Sequence, residues 1–141
     1  MTQKRRNSVY CTIFDDNYLA RAVALYESLM RVNQSAVFAF ICIDSSSSKL
    51  LTSLKLERAL VVKHDEFATQ ELLQLRSERS QGEYCWTCKP FALLHLMKRA
   101  PQADWVVYVD TDMMFFSDPD EALPGSAAHY LLTPHRFDPG F

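Results

Sequence analysis

The segment AVFAFICI, residues 36–43, constrains this 141-residue chain more than any other stretch. Every position in it is apolar, and no polar residue alternates through it. A strand with one wet face alternates, whereas a strand covered on both faces reads as a continuous apolar run. Three further stretches are rich in β-branched and aromatic residues and read as strands: SVYCTIF at 8–14, ALVVKH at 59–64 and WVVYV at 105–109. Between the first two, Leu19, Ala22, Val23, Tyr26, Leu29 and Met30 recur at helical spacing and predict a helix over 17–32. Strands that alternate with helices pair in parallel, because each parallel neighbour needs a long crossover. The expected fold is therefore α/β, layered α/β/α, around a mostly parallel sheet.

The remaining elements follow from punctuation. The serine run at 45–48 opens a short helix with serine caps, and 65–79 reads as a charged helix. After the loop Ser80-Gln81-Gly82-Glu83, a helix is expected over 87–99 with Pro90 in its first turn. Phe91, Leu93, Leu94, Leu96 and Met97 cover most of its circumference, which predicts deep packing. MMFF at 113–116 begins a further extended segment, and HYLLT at 129–133 is the last strand. Residues 1–7 form a basic tail, and 8–141 form a single domain with no internal repeat.

Composition removes several function classes. The chain is 48% apolar and 23% charged, which argues against disorder. A net charge of −2 supplies no basic field, so nucleic acid is not an expected partner. With three glycines, the chain contains neither GxGxxG nor GxxxxGK[ST]. No apolar run reaches membrane-spanning length and no signal segment opens the chain, so the expectation is a cytoplasmic protein without a membrane span.

Four cysteines, Cys11, Cys42, Cys85 and Cys88, are too scattered for a disulfide framework. The stretch YCWTCKPF at 84–91 resembles a thioredoxin-type C-x-x-C-K. A polar loop precedes it in place of a strand, so packing at a helix start is the favoured reading. His64, His95 and His129 lack paired ligand spacing, and Trp86 and Phe91 read as core rings.

Two acidic clusters end strands: Asp15-Asp16 after the first, and Asp110-Thr111-Asp112 after the fourth. Ligands of open parallel sheets bind outside the carboxyl ends of the strands. In an extended chain Asp110 and Asp112 point to one face and can converge on Mg²⁺ or Mn²⁺. Such a metal neutralises a diphosphate and assists its departure. The alternative is that both aspartates cap a loop. A DxD phosphatase places Thr or Val where Met114 stands, and its pair lies near the chain start. An EF-hand beginning at Asp110 places Glu121 correctly but has Phe115 where glycine is required.

The segment WVVYVDTDMMFF followed by SDPDEAL resembles the DxD region of GT-A fold glycosyltransferases, above all the retaining family 8 enzymes typified by glycogenin and bacterial galactosyltransferases. FDDNYLARAVALYESL at 14–29 matches that family's first turn and helix, and Lys89 in WTCKPFALLHL matches its lysine before the DxD strand. The similarity spans most of residues 8–133. It implies a Rossmann-like GT-A fold and retaining transfer of sugar from a nucleotide-diphospho-sugar to a saccharide or protein acceptor. It further implies that Asp110 and Asp112 ligate Mn²⁺ (or Mg²⁺), and that Phe14, Asp15 and Tyr18 meet the base or ribose. Lys89 and Thr111 then lie beside the nucleotide sugar. Asp15 and Asp16 as helix caps, and Lys89 as a solvent-facing lysine, remain the alternatives from the residues themselves. Family members are longer and supply a histidine ligand from a later segment that has no match here. The chain therefore reads as the N-terminal portion of such a domain. A noncatalytic metal- or nucleotide-binding domain is the alternative function.

Overall fold

The computed structural model describes residues 7–123. The strand expected at 129–133, His129 and the pair His135-Arg136 lie outside the described residues. The elements run β1 (Ser8–Phe14), α1 (Leu19–Val32), β2 (Val37–Cys42), α2 (Ser45–Leu54), β3 (Ala59–Lys63), α3 (His64–Phe67), α4 (Gln70–Leu75), α5 (Gln81–Arg99) and β4 (Trp105–Tyr108). Short 3₁₀ turns occupy Asp16–Tyr18 and Pro119–Glu121. The strands form one sheet in the order β3-β2-β1-β4, and every pairing is parallel. This is the layered α/β/α fold with a parallel sheet expected from the apolar runs, and it is Rossmann-like.

Side-chain alternation on β1 builds two cores from one strand. Val9, Cys11 and Ile13 face Cys88, Ala92 and Leu96 of α5. Tyr10 and Phe14 face Ala22, Leu25 and Leu29 of α1, with Phe38 and Phe40 of β2 alongside. Every residue of β1 is buried, because β2 and β4 flank it and helices cover both faces. The winding direction reverses at β1. The chain steps outward from β1 to β3 with α1 and α2 on one face, then returns to β4 with α5 on the other. Right-handed crossovers require that change of face.

Register places a notch at this reversal. Tyr108, the last residue of β4, pairs with Cys11, while β1 continues to Phe14 against Cys42 of β2. Thr12, Ile13 and Phe14 thus project past the end of β4, and the chain turns away from the sheet after Val109, whose N–H still donates to Cys11 O at 2.9 Å.

Several local expectations are corrected. α2 is capped by Asp44, whose carboxylate accepts from Ser47 N at 2.7 Å; the serines are not its cap. The helix expected over 65–79 is split, since Thr69 caps a new start by accepting from Leu72 N at 3.2 Å. α5 begins at Gln81, six residues earlier than 87, because Ser80 and Glu83 form a capping box. Pro90 consequently lies inside α5, not in its first turn. Deep packing of this helix is also corrected: Leu94 and Met97 are 59% and 55% exposed, and burial follows Tyr84, Cys88, Ala92 and Leu96. β4 is half-buried and lies at one edge of the sheet among the described residues. Of MMFF, Phe115 alone returns inward, 5.5 Å edge-on to Tyr10, and its N–H donates to Ser28 Oγ at 3.0 Å.

Candidate functional site

The notch between β1 and β4 opens into a cleft of ≈ 380 Å³. Phe14, Asp15, Tyr18, Lys89, Asp110, Thr111 and Asp112, the seven residues singled out by sequence, all line it. The topology accounts for their meeting. Asp15 and Tyr18 follow the projecting end of β1, Lys89 reaches across from α5, and Asp110–Asp112 follow the short β4. A cleft at the carboxyl edge of a parallel sheet, where the winding reverses, is the position in which such folds hold ligands.

Asp15 is buried, and its two oxygens are engaged separately. Oδ1 accepts from Asn17 N at 3.0 Å, which caps the 3₁₀ turn, and Oδ2 accepts from Gln81 Nε2 at 2.6 Å. Asp15 is therefore a cap that also ties the first turn of α5 to the end of β1. Asp110 Oδ1 accepts from Tyr108 Oη at 2.8 Å and from Lys89 Nζ at 3.1 Å. The ammonium also lies 4.5 Å from the centre of the Tyr108 ring. Partial burial pushes Asp110 upward. The hydrogen bonds from Tyr108 and Lys89, with the lysine charge, outweigh it and hold the carboxyl below its ordinary value. Burial first, then the bond to Asp110, raises the Tyr108 phenol well above its usual range.

Asp110 and Asp112 do not sit in an extended strand. They occupy a turn closed by Met113 N donating to Asp110 O at 3.1 Å, which corrects the same-face argument from an extended chain. Asp112 is exposed and makes no hydrogen bond or ion pair among the described residues. Asp110 Oδ2 is likewise unengaged there. Hard oxygens of this kind suit Mg²⁺ or Mn²⁺, which bind one or two protein carboxylates and complete their shell with water and phosphate. No cluster of three metal-ligating side chains occurs among the described residues. The two carboxylates fit a cation that completes its shell with water and phosphate.

The rings divide by exposure. Phe14 is 1% exposed and packs edge-on to Phe40 at 6.1 Å, so its ring belongs to the core. Tyr18 and Trp86 are 44% and 65% exposed and border the cleft. The expectation that Trp86 is a core ring is therefore corrected, and Phe91, at 36% exposed, is not a core ring either. Arg21, also unanticipated, stacks its guanidinium 5.2 Å from the Tyr18 ring centre and supplies a second cation to the cleft. Its signal was present in the sequence, since it lies one turn beyond Tyr18 on the same helix approach.

The C-x-x-C pair lies on the inner side of α5. Burial pushes the Cys85 thiol up to about 11 and raises Cys88 as well, the reverse of an activated thiol. Cys11 and Cys42 are buried strand residues. His64 bonds the Tyr84 hydroxyl at 2.8 Å, and His95 Nε2 stands 3.6 Å from Glu66.

Beyond the acidic turn, SDPDEAL is a clamp. Asn33 Nδ2, at the end of α1, donates to Asp118 Oδ1 at 2.8 Å and to Asp120 Oδ2 at 2.9 Å. Tyr10 Oη donates to Asp120 Oδ1 at 2.7 Å. The segment after Asp112 is thereby fastened to the α1 side of the sheet, which limits how far the acidic turn can drift.

Fold and cleft together define a Rossmann-like parallel α/β domain with a carboxyl-edge cleft lined by carboxylates, two cations and aromatic rings. No helix among the described residues is long and apolar enough to cross a membrane. No family model matches the chain. It is similar to Uncharacterized protein YfnF of Bacillus subtilis (strain 168), 36% identical over 112 residues, covering 79% of this chain and 37% of that protein. It is also similar to Uncharacterized protein YfnD of the same organism, 32% identical over 133 residues, covering 94% of this chain and 43% of that protein. The chain thus spans about two fifths of the length of these curated relatives.

Proposed function

We propose that this chain is the donor-binding part of a metal-dependent glycosyltransferase of GT-A type that uses a nucleotide-diphospho-sugar. The observation that carries the reading is the convergence of Asp15, Tyr18, Lys89, Asp110 and Asp112, drawn from three separate stretches of sequence, on one carboxyl-edge cleft. Their chemistry is complementary to such a ligand. Tyr18 and Trp86 offer exposed ring faces to a base, Arg21 and Lys89 offer cations to a diphosphate, and the aspartates offer hard oxygens to Mn²⁺ or Mg²⁺. When bound, the cation supplies Lewis-acid stabilisation of a departing diphosphate. The residues of the chain orient the donor: the aromatic pair holds the base, and Lys89 neutralises phosphate charge at the end of the cleft. Retention of sugar configuration and transfer to a saccharide or protein acceptor belong to the same proposal, through the family 8 resemblance.

Thermal-shift measurement against a panel of nucleosides, nucleoside monophosphates, nucleoside diphosphates and inorganic phosphate, each with Mn²⁺, tests this reading. Selective stabilisation by one or more nucleoside diphosphates is expected. Equal response to inorganic phosphate and to every nucleotide would remove the base-binding role of Tyr18 and Trp86, and with it the donor assignment.

A further inference from the structure

Among the described residues, the two polar side chains that bond Asp110 converge on one oxygen. Tyr108 Oη and Lys89 Nζ bond Oδ1 at 2.8 and 3.1 Å. Among the described residues nothing bonds Oδ2 or the Asp112 carboxylate. Lys89 is held on two sides, by the carboxylate and by the Tyr108 ring face 4.5 Å from its ammonium. Its side chain is 29% exposed against 61% for Asp110, so the ammonium sits on the inner side of the pair. A cation approaching the open oxygens therefore meets a carboxylate already paired with the fixed positive charge of the Lys89 ammonium. Like charges brought together on one carboxylate oppose each other, most where water is partly excluded.

We propose that Lys89 is the resident counter-ion of the Asp110/Asp112 pair, and that its ammonium moves from Asp110 to phosphate oxygens when an anionic ligand enters. This rests on the donor-cleft reading above and adds a direction to it. While the cleft holds no phosphate, Lys89 keeps the acidic pair weak for divalent cations. A diphosphate offers the ammonium a second acceptor and frees Asp110 Oδ1. Divalent cation and diphosphate thereby favour each other through one side chain, and such coupling is reciprocal in the two binding equilibria. Lys89 is a positioning residue in this scheme, acting through Asp110.

The test is a Mn²⁺ titration followed by electron paramagnetic resonance of the free ion, on the full chain, with and without UDP or GDP. Three variants accompany wild type: Lys89→Met, Lys89→Arg and Asp110→Asn/Asp112→Asn. Without nucleotide, Lys89→Met should bind Mn²⁺ about three- to tenfold tighter than wild type, the range expected for removing one partly exposed competing charge. With saturating Mn²⁺, the same variant should bind the nucleotide about tenfold more weakly, having lost a charge-assisted contact. Lys89→Arg keeps the charge and should hold the nucleotide-free Mn²⁺ affinity within about twofold of wild type. Unchanged or weaker Mn²⁺ binding by nucleotide-free Lys89→Met overturns the proposal alone, provided the double aspartate variant still abolishes binding. If the aspartate variant binds Mn²⁺ as wild type does, or if no form of the chain binds it, both the proposal and the acidic-pair reading are overturned.

Discussion

Replacing Asn33 with alanine should destabilise the protein by about 3 kcal/mol, although Asn33 lies outside the cleft. The side chain is 3% exposed and uses both ends. Oδ1 accepts from Ser35 N, Ser35 Oγ and Ala36 N, each at 2.9 Å, while Nδ2 donates to Asp118 and Asp120. Alanine leaves the buried Ala36 N–H unpaired, a cost of about 1–3 kcal/mol, and removes two charge-assisted bonds of about 1.5–3 kcal/mol each at most. Asp118 and Asp120 are only part-buried and regain water, so the sum falls well below that ceiling. At roughly 3 °C per kcal/mol for a chain of this size, the melting temperature should drop by about 10 °C. Asn33→Asp sharpens the test. It keeps the Oδ1 acceptor but presents a third carboxylate to Asp118 and Asp120, so at neutral pH it should be at least as destabilising as alanine. Urea denaturation followed by circular dichroism measures both. An Asn33→Asp protein within about 1 kcal/mol of wild type would refute the clamp, since unrelieved like charges in contact cost more than that.

Other expectations concern single side chains. Trp86→Ala should weaken nucleoside diphosphate binding by about 1–3 kcal/mol, the usual worth of one base–aromatic stack, and shift stability by less than about 0.5 kcal/mol; fluorescence titration and melting read the two separately. Burial first, then the Arg76 charge, depresses the His64 pKa against the opposing pull of Asp65. Its folded form therefore binds fewer protons than its unfolded form, and the stabilisation is complete above about pH 6.5 and lost as pH falls toward the folded pKa. His64→Gln should flatten that loss in urea midpoints taken across pH 7.5 to 5.5. The four cysteines should resist a disulfide reagent at about pH 8 in the native state and react at once in denaturant, because burial holds Cys11 and Cys42 up to about 12 and Cys85 up to about 11.

Much of this architecture is legible in the apolar runs. SVYCTIF and AVFAFICI lack alternation because both faces of β1 and β2 are covered, and that property also dictates parallel pairing. The acidic residues of the cleft were legible for a related reason: strand ends in a parallel sheet share one edge, so Asp15, Asp110 and Asp112 come to the same cleft, whereas Phe14, Tyr18, Lys89 and Thr111 were indicated by the family resemblance alone. WVVYV has the same texture as β1 yet forms a strand that is only half-buried among the described residues, since a run of apolar letters does not say which neighbours cover it. Trp86 was misread because Gln81-Gly82-Glu83 looks like loop. The Ser80–Glu83 capping box, also present in the sequence, overrides the glycine and carries α5 back to Gln81, which sets Trp86 on an outward helical position. The split at Thr69 has a similar origin: one hydroxyl offers a cap where charge and length favoured a continuous helix. The Asn33 clamp left no local signature, because its partners lie 85 and 87 residues away.

The central claim is that Asp110 and Asp112 join a divalent cation to a nucleoside diphosphate in the cleft between β1 and β4. Isothermal titration calorimetry of UDP and GDP, with Mn²⁺ and with EDTA, on wild type and on Asp110→Ala/Asp112→Ala, tests it most directly. The account predicts binding by wild type with Mn²⁺, little without it, and none by the double variant in either buffer. Binding that persists in EDTA, or that survives unchanged in the double variant, would contradict it.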